Sequence, residues 1–399
     1  MGHWAGPAGP RAGTTTDTFV IGRDRLGDLL SILSASGHQV IGPRLEAGAI
    51  VYGPIKQAEE LPSGYLDEQD GGHYRLRKAP AVDGADQALF RYTVGPQSWK
   101  RYLFPAQQLL WRAQRTEPGA FSAFSIEQPT AEPPRYAFIG VRACELAAIR
   151  IQDQVFDNGD HADSGYLARR STALIVGVNC TRAGATCFCT SMGTGPVVGE
   201  GADLTLTELV DERRHRFLVR AGSERGHAIL ERLSPAPADP ADIEAGERLL
   251  ATAAGSMGRK MPADAGQVLA RNPEHPRWQQ VAERCLSCAN CTLVCPTCFC
   301  STVEDHTSLD GSTAERHRRW DSCFNMDFSY IHGGAVRRET ASRYRQWITH
   351  KLAHWQEQFG TSGCTGCGRC ITWCPVGIDI TEEVAVIKAS EAPKSGEQQ

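Results

Sequence analysis

Cys285-Leu286-Ser287-Cys288-Ala289-Asn290-Cys291-Thr292-Leu293-Val294-Cys295-Pro296 decides how this chain is organised, because its spacing returns at Cys364-Thr365-Gly366-Cys367-Gly368-Arg369-Cys370-Ile371-Thr372-Trp373-Cys374-Pro375. Both stretches read Cys-x2-Cys-x2-Cys-x3-Cys-Pro. Three cysteines at this spacing wrap a tight turn round three corners of a cube. The Cys-Pro step then sends the chain away, since proline has a fixed φ and cannot continue the turn's hydrogen bonding. The loops are filled by Ser287, Ala289 and Asn290 in one run and by Thr365, Gly366, Gly368 and Arg369 in the other. Gly363, Gly366 and Gly368 allow backbone N–H groups to approach sulfur, which tunes a cluster's potential.

This is the run that bacterial ferredoxins use for cubane iron–sulfur clusters, where the fourth cysteine serves the other cluster. The expected cofactors are two 4Fe–4S clusters. Cys285, Cys288, Cys291 and Cys374 would hold the first, and Cys364, Cys367, Cys370 and Cys295 the second. Structural zinc usually takes two separated Cys-x2-Cys pairs, so a triple-plus-one run that occurs twice fits it poorly.

The remaining composition narrows the class. A chain of 399 residues has room for two or three domains, and 41% hydrophobic with 22% charged residues is ordinary for a soluble globular protein. A formal charge of −4 and the lack of a basic tail give no reason to expect nucleic acid. Fifteen cysteines are many, but eight fall in metal-ligand spacing. A disulfide scaffold is improbable at this size, and a reducing compartment is favoured. Residues 1–17 read as a disordered tail without an apolar signal core or twin-arginine pair. No long apolar run is present, so the expectation is a cytoplasmic protein with no membrane span.

The fold class expected is α+β and multidomain: an α/β domain with a mixed sheet over 18–262, then a helix-rich, ferredoxin-like 4Fe–4S dicluster domain over 263–390, with a disordered tail over 391–399. Thr18–Leu33 has apolar residues at helical spacing, His38–Tyr52 suggests short strands, and Phe90, Tyr92 and Val94 alternate as in a strand. Pro105–Trp111 reads as a short helix and Pro118–Pro134 as a loop. Tyr136–Val141 and Ala173–Val178 are buried-strand signals flanking a helical stretch from Glu145 to Phe156, the outline of a βαβ unit. Parallel strands would bring Cys144 and Cys180 to one sheet edge, with Cys187 and Cys189 in the loop beyond. Those four thiols make a candidate third site for an iron–sulfur cluster; buried structural cysteines, zinc and redox thiols are the alternatives. Leu204–Val219 reads as a hairpin and Pro240–Met257 as a helix. The Gly-x-Gly within Gly193–Gly199 follows no strand and opens no helix, so it reads as a loop.

Between the two runs, Pro296–Gly363 is expected to be largely helical. Tyr344, Trp347, Ile348, Leu352, Trp355 and Phe359 recur at three or four residues, and Gly360 is a C-terminal stop. Arg337, Arg338, Arg343, Arg345 and Lys351 on that stretch read as a docking face, as charges that raise a cluster's potential, or as a solvated surface. Cys298, Cys300 and Cys323 are left as packing residues, alternative ligands or a redox pair.

The chain resembles the beta (iron–sulfur) subunit of cytoplasmic NAD(P)-linked nickel–iron hydrogenases of the sulfhydrogenase type, a family shared with the electron-transfer subunit of anaerobic sulfite reductase. The resemblance lies in Gly140–Glu145, in Asn179-Cys180 through Cys187-Phe188-Cys189-Thr190-Ser191-Met192-Gly193-Thr194-Gly195-Pro196, in Cys295-Pro296-Thr297-Cys298-Phe299-Cys300, in Asp327–Gly334, and in the second run continuing to Ile380. It implies a non-catalytic electron-transfer subunit of an oxidoreductase complex. Its partners would be the hydrogenase (or sulfite reductase) catalytic subunits together with a flavin, NAD(P)H-binding subunit. Independently of the resemblance, the sequence carries no His-Glu-x-x-His, no Gly-x-Ser-x-Gly and no phosphate-cradling loop before a helix. A stand-alone thiol or disulfide reductase using Cys298, Cys300 and Cys323 is the reading from another class.

Overall fold

Leu174–Val178 is buried at every position and Tyr136–Val141 at all but its first. Such continuous apolar strands belong inside a sheet covered on both faces. They take that place in the computed structural model, which describes residues 18–82, 84–117, 123–128 and 133–391. The expected tails over 1–17 and 391–399 lie outside the described residues, apart from Glu391, which ends a helix that begins at Ile380.

In chain order the strands of the large sheet and its neighbours are β1 (Phe19–Gly22), β2 (Gln39–Glu46), β3 (Ala49–Pro54), β4 (Tyr65–Asp70), β5 (His73–Lys78), β6 (Gln107–Arg115), β7 (Phe124–Glu127), β8 (Tyr136–Val141), β9 (Leu174–Val178), β10 (Leu204–Val210), β11 (His215–Ala221), β12 (Ala236–Pro237), β13 (Ser301–Thr307) and β14 (Thr313–Trp320). Eight form one mixed sheet in the order β12-β1-β11-β10-β9-β8-β2-β3. Its four central strands pair in parallel, and antiparallel pairs flank them. Alternate side chains feed two cores. Ala137, Ile139, Leu174 and Val176 join Leu26–Leu33 and Ile229–Leu233 on one face. Phe138 and Ile175 join Leu146, Ile149, Phe156 and Tyr166 on the other.

A further apolar core gathers the C-terminal helices. Val268 and Leu269, Trp278 and Val281, Tyr344, Trp347 and Ile348, and Val384 and Ile387 pack with the cysteine runs, and Phe188 enters from the N-terminal part. The helix beginning at Thr340 ends at Gly360, whose φ of 67° supplies the left-handed stop.

Several local expectations are corrected. Thr18–Leu33 is not one helix: Phe19–Gly22 pairs with β11 as a strand, and the helix runs over Leu26–Ala35. Pro105–Trp111 is not helical but enters strand β6, because its partner β14 arrives from far along the chain, with Arg112 opposite Glu315. Within Pro118–Pro134, Phe124–Glu127 is a strand; residues 118–122 and 129–132 lie outside the described residues. The insertion between the runs is only half helical. Its first part is the β13–β14 hairpin, which crosses to the N-terminal part and builds the sheet β13-β14-β6-β7. Phe90, Tyr92 and Val94 are buried but form no strand. Side chains take up their backbone groups instead: Glu208 accepts from Leu89 N and Phe90 N at 2.6 and 2.8 Å, and Arg142 donates to Phe90 O and Tyr92 O at 2.7 and 2.9 Å.

The parallel strands end at one edge, and a buried carboxylate ties it to the cluster loops. Glu145 sits in the first turn of helix Ala143–Phe156 and caps it by accepting from Arg142 N. It also accepts from Tyr52 Oη at 2.9 Å and Trp99 Nε1 at 3.1 Å, and pairs with Arg369 of the second cysteine run. Both charged side chains are essentially inaccessible, at 1% and 0% exposure. Breaking a buried pair by removing one partner costs about 3–5 kcal/mol, since the other charge is left uncompensated. Glu145→Ala is therefore expected to lower the thermal unfolding midpoint sharply, while Glu244→Ala, at an exposed position of the helix Pro240–Gly255, leaves it unchanged.

Candidate iron–sulfur centres

The two cysteine runs share a backbone as well as a spacing. Ser287 and Ala289 have φ of 51° and 64°, and Gly366 and Gly368 at the equivalent positions have 66° and 76°. A one-turn helix follows each, Asn290–Leu293 and Arg369–Thr372. This left-handed geometry turns amides inward: Ser287 N donates to Cys285 Sγ at 3.4 Å and Gly366 N to Cys364 Sγ at 3.5 Å. Left-handed backbone costs a residue with a Cβ about 1–2 kcal/mol, so the first run carries strain that glycine spares the second. The second run has no choice. A Cβ on Gly366 would fall 2.6 Å from the Cys189 backbone, and one on Gly368 would fall 2.4 Å from Thr186 O.

Cys285, Cys288, Cys291, Cys370 and Cys374 line one cavity, closed by Phe324, Tyr344, Trp347 and Ile378. Cysteines of both runs thus meet at this cavity, three from the first and two from the second. Burial, followed by the neighbouring thiols of Cys285, Cys374 and Cys288, pushes Cys291 far above the ordinary thiol range. Among the described residues no group of three His, Cys, Asp or Glu side chains is arranged to hold a lone metal ion. The lining also contains donors without partners. Tyr344 Oη and Trp347 Nε1 are buried and find no hydrogen-bond acceptor among the described residues. A sulfur-rich anionic cluster supplies such acceptors, so the residues fit the group on two independent counts.

The second ring expected from the sequence is Cys364, Cys367, Cys370 and Cys295. Cys370 is raised by burial first and then by Cys364, Cys367, Cys295 and Cys291. Cys295, Cys364 and Cys367 are buried, whereas Cys288 of the first ring is exposed. Cys295 stands apart electrostatically. A hydrogen bond from Cys298, then Lys351 and Thr297, hold it well below the ordinary thiol range against the cost of burial. Lys351 Nζ lies 3.3 Å from Cys295 Sγ.

Cys144, Cys180, Cys187 and Cys189 also converge. Cys144 opens the helix after β8, and Cys180 follows the adjacent parallel strand β9. Burial and then Cys180 push Cys187 up to about 12, and Cys189 is raised by burial, Cys180 and Cys187. Arg142 Nη1 reaches to 3.9 Å from Cys180 Sγ. This set adjoins the second ring: Cys144, Cys189 and Cys367 pack in one small core. Phe188 N donates to Gly366 O at 2.9 Å and Thr194 Oγ1 to Thr365 O at 2.6 Å, so the two loops are hydrogen-bonded to each other.

The basic residues of the long helix do not form a single exposed face. Arg343 is buried and donates to Arg338 O at 2.7 Å and Ser287 Oγ at 3.3 Å; Arg345 pairs with exposed Glu274; Lys351 points at sulfur. Cys298 and Cys323 border the helical core. A hydrogen bond from Cys323 brings Cys300 down to about 7. Sequence reasoning missed Glu145 and took Arg369 as loop filler. A bulky cation in a position otherwise given to small residues was the available signal.

Residues 284–378 match the 4Fe-4S dicluster domain. The chain is 28% identical over 343 residues to sulfhydrogenase 2 subunit beta of Pyrococcus furiosus, covering 84% of this chain and 91% of that one. No solved structure matches. The comparisons bear out the resemblance to a sulfhydrogenase beta subunit, with its iron–sulfur, electron-transferring character. No helix among the described residues is long and apolar enough to cross a membrane.

Burial holds most of these thiols protonated at neutral pH, with Cys187 and Cys364 both at about 12. A ligating cysteine must give up that proton when iron binds. Anaerobic reconstitution at pH 7 in weak buffer is expected to release, beyond the protons lost by the added sulfide, close to one proton per ligating cysteine other than Cys295, read by pH-stat. Release limited to a small fraction of that would mean the thiols were already ionised.

Proposed function

We propose that this chain, an iron–sulfur relative of the sulfhydrogenase beta subunit, relays single electrons between a flavin subunit that handles NAD(P)H and the catalytic subunits of a soluble nickel–iron hydrogenase. The observation that supports the proposal is that cysteines of the two repeated runs line one cavity and that Cys367 packs with Cys144 and Cys189. Cys285, Cys288, Cys291 and Cys374 would hold one 4Fe–4S cluster and Cys364, Cys367, Cys370 and Cys295 a second. Cys144, Cys180, Cys187 and Cys189 would hold a third iron–sulfur cluster. Bound clusters supply one-electron transfer and no acid–base chemistry, with potentials set by charge, hydrogen bonds and exposure.

The chain's own residues perform three tasks in this reading. Tyr344, Trp347, Phe324 and Ile378 wall the first ring and restrict water. Inward amides and the lysine at Cys295 favour added negative charge at sulfur. The hydrogen bonds from Phe188 to Gly366 and from Thr194 to Thr365 would fix the third set against the second. Electrons would enter or leave at the first ring, where Cys288 is exposed. Leu286, Met326, Tyr330, Ile331 and Val336 are each more than half exposed, and Ser287 Oγ meets Thr340 Oγ1 at 3.1 Å, which links their two segments. Clustered exposed apolar side chains suit a partner subunit better than solvent. The similarity to a sulfhydrogenase chain favours the hydrogenase assignment over the sulfite reductase one.

Anaerobic iron and sulfide analysis tests the cofactor assignment. With all three sets occupied about twelve irons per chain are expected, and about eight with the two ferredoxin-type rings alone. Replacing both Cys187 and Cys189 with Ala should remove about four and leave the remainder reducible. An iron-poor, colourless anaerobic preparation would end the proposal.

A further inference from the structure

Lys351 is buried on all sides, although a lysine ammonium is costly to remove from water unless an opposite charge meets it. Its hydrogen bonds go to Cys295 Sγ at 3.3 Å, Thr297 Oγ1 at 2.8 Å and Gly363 O at 3.1 Å. None of these is a carboxylate. Two are neutral oxygens, and the third is a sulfur assigned above to the second cluster. The backbone beneath it is unusual as well. His350–His354 is a π-helical segment within the longer helix, and it buries Lys351, Leu352 and Ala353 in succession. A regular surface helix would turn one of three consecutive residues outward; the widened turn keeps the lysine facing sulfur.

The first ring is built differently. Cys288 is exposed, and its cavity offers the neutral donors Tyr344 and Trp347. Adding an electron to a cluster adds one negative charge. Near water that charge is solvated, but beside three buried cysteines it must be met by the protein.

We infer that Lys351 is the counter-charge of the cluster held by Cys364, Cys367, Cys370 and Cys295, and that it keeps this buried centre reducible alongside the exposed one. The inference rests on the two-cluster reading above. Lys351 acts through Cys295 and is a positioning and tuning residue: it offers a fixed positive charge to a sulfur ligand and undergoes no chemistry itself. Without it, burial alone would carry the second centre to a more negative potential than the first, and a single electron would be held at the surface end.

The test is an EPR-monitored redox titration of the full chain, anaerobically purified, with Lys351→Met, Lys351→Gln and Lys351→Arg beside the unaltered protein. Cys288→Ser identifies the signal of the exposed centre. In the Met and Gln variants the midpoint of the second centre is expected to fall so that its reduced-to-oxidised ratio at fixed potential drops at least tenfold, which is about 59 mV for one electron. The exposed centre should hold its midpoint, and the Arg variant should retain most of the original value. The inference is overturned by an unmoved midpoint, by an equal shift at both centres, or by the same fall in the Arg variant. Loss of the second centre's irons from both neutral variants would make Lys351 a structural residue and overturn it too. Iron and sulfide counts on the unaltered chain separate the two levels: fewer than about eight irons defeats the two-cluster reading itself, whereas a full count with unmoved potentials defeats only the role of Lys351.

Discussion

The buried pair between Glu145 and Arg369 is the constraint on which the rest of the molecule depends. Glu145 belongs to the helix that follows a central parallel strand, and Arg369 lies inside the second cysteine run. Neither charge is tolerable in the interior alone. Arg369 also donates to Gly95 O and Gln97 O, both at 2.8 Å, and Glu145 receives Tyr52 and Trp99. A cluster-type loop, a sheet edge and an irregular segment are thereby held in one arrangement. The close approach of Gly366 and Gly368 to the 186–189 loop follows from that docking, and so does the contact of Cys367 with Cys144 and Cys189.

This docking breaks the symmetry of the repeat. Two runs with the same spacing and the same left-handed turns start as equivalents. One is pressed against the N-terminal sheet and enclosed; the other keeps Cys288 and Leu286 at the surface. Their polar surroundings diverge accordingly. The enclosed ring meets a buried ammonium at Cys295, and the open ring meets the hydroxyl and indole donors of Tyr344 and Trp347. Similar cofactors placed in both would experience different fields without any change of ligand type.

The β13–β14 hairpin has a related consequence. It departs from the first run soon after Cys300 and pairs with β6, and Lys100 Nζ reaches back to Cys298 O at 3.1 Å while lying 3.9 Å over the Trp320 ring. The two parts of the chain are therefore joined twice, by a sheet and by the Glu145–Arg369 pair. Distances between redox centres must stay fixed for electrons to pass, and a single flexible linker would not fix them.

The sequence by itself determined the chemistry. Cysteine spacing is a local property, and so Cys285 through Cys295 and Cys364 through Cys374 could be read as two ligand sets with an exchanged fourth member. Strong periodicity likewise revealed β8, β9, the β10–β11 hairpin and the helix ending at Gly360. The tertiary structure decided whatever depends on partners distant in the chain. Gln107–Arg115 is a strand only because β14 lies beside it, and Phe90–Val94 is not a strand because Arg142 and Glu208 claim its backbone groups. Lys351 reads equally as a docking charge, a charge that raises a cluster's potential or a solvated one until a π-helical turn carries it inward. Arg369 reads as loop filler until Glu145 is found opposite. In each case the deciding term is a long-range contact that neutralises a charge or satisfies a hydrogen bond, and such terms leave no periodic trace in the chain.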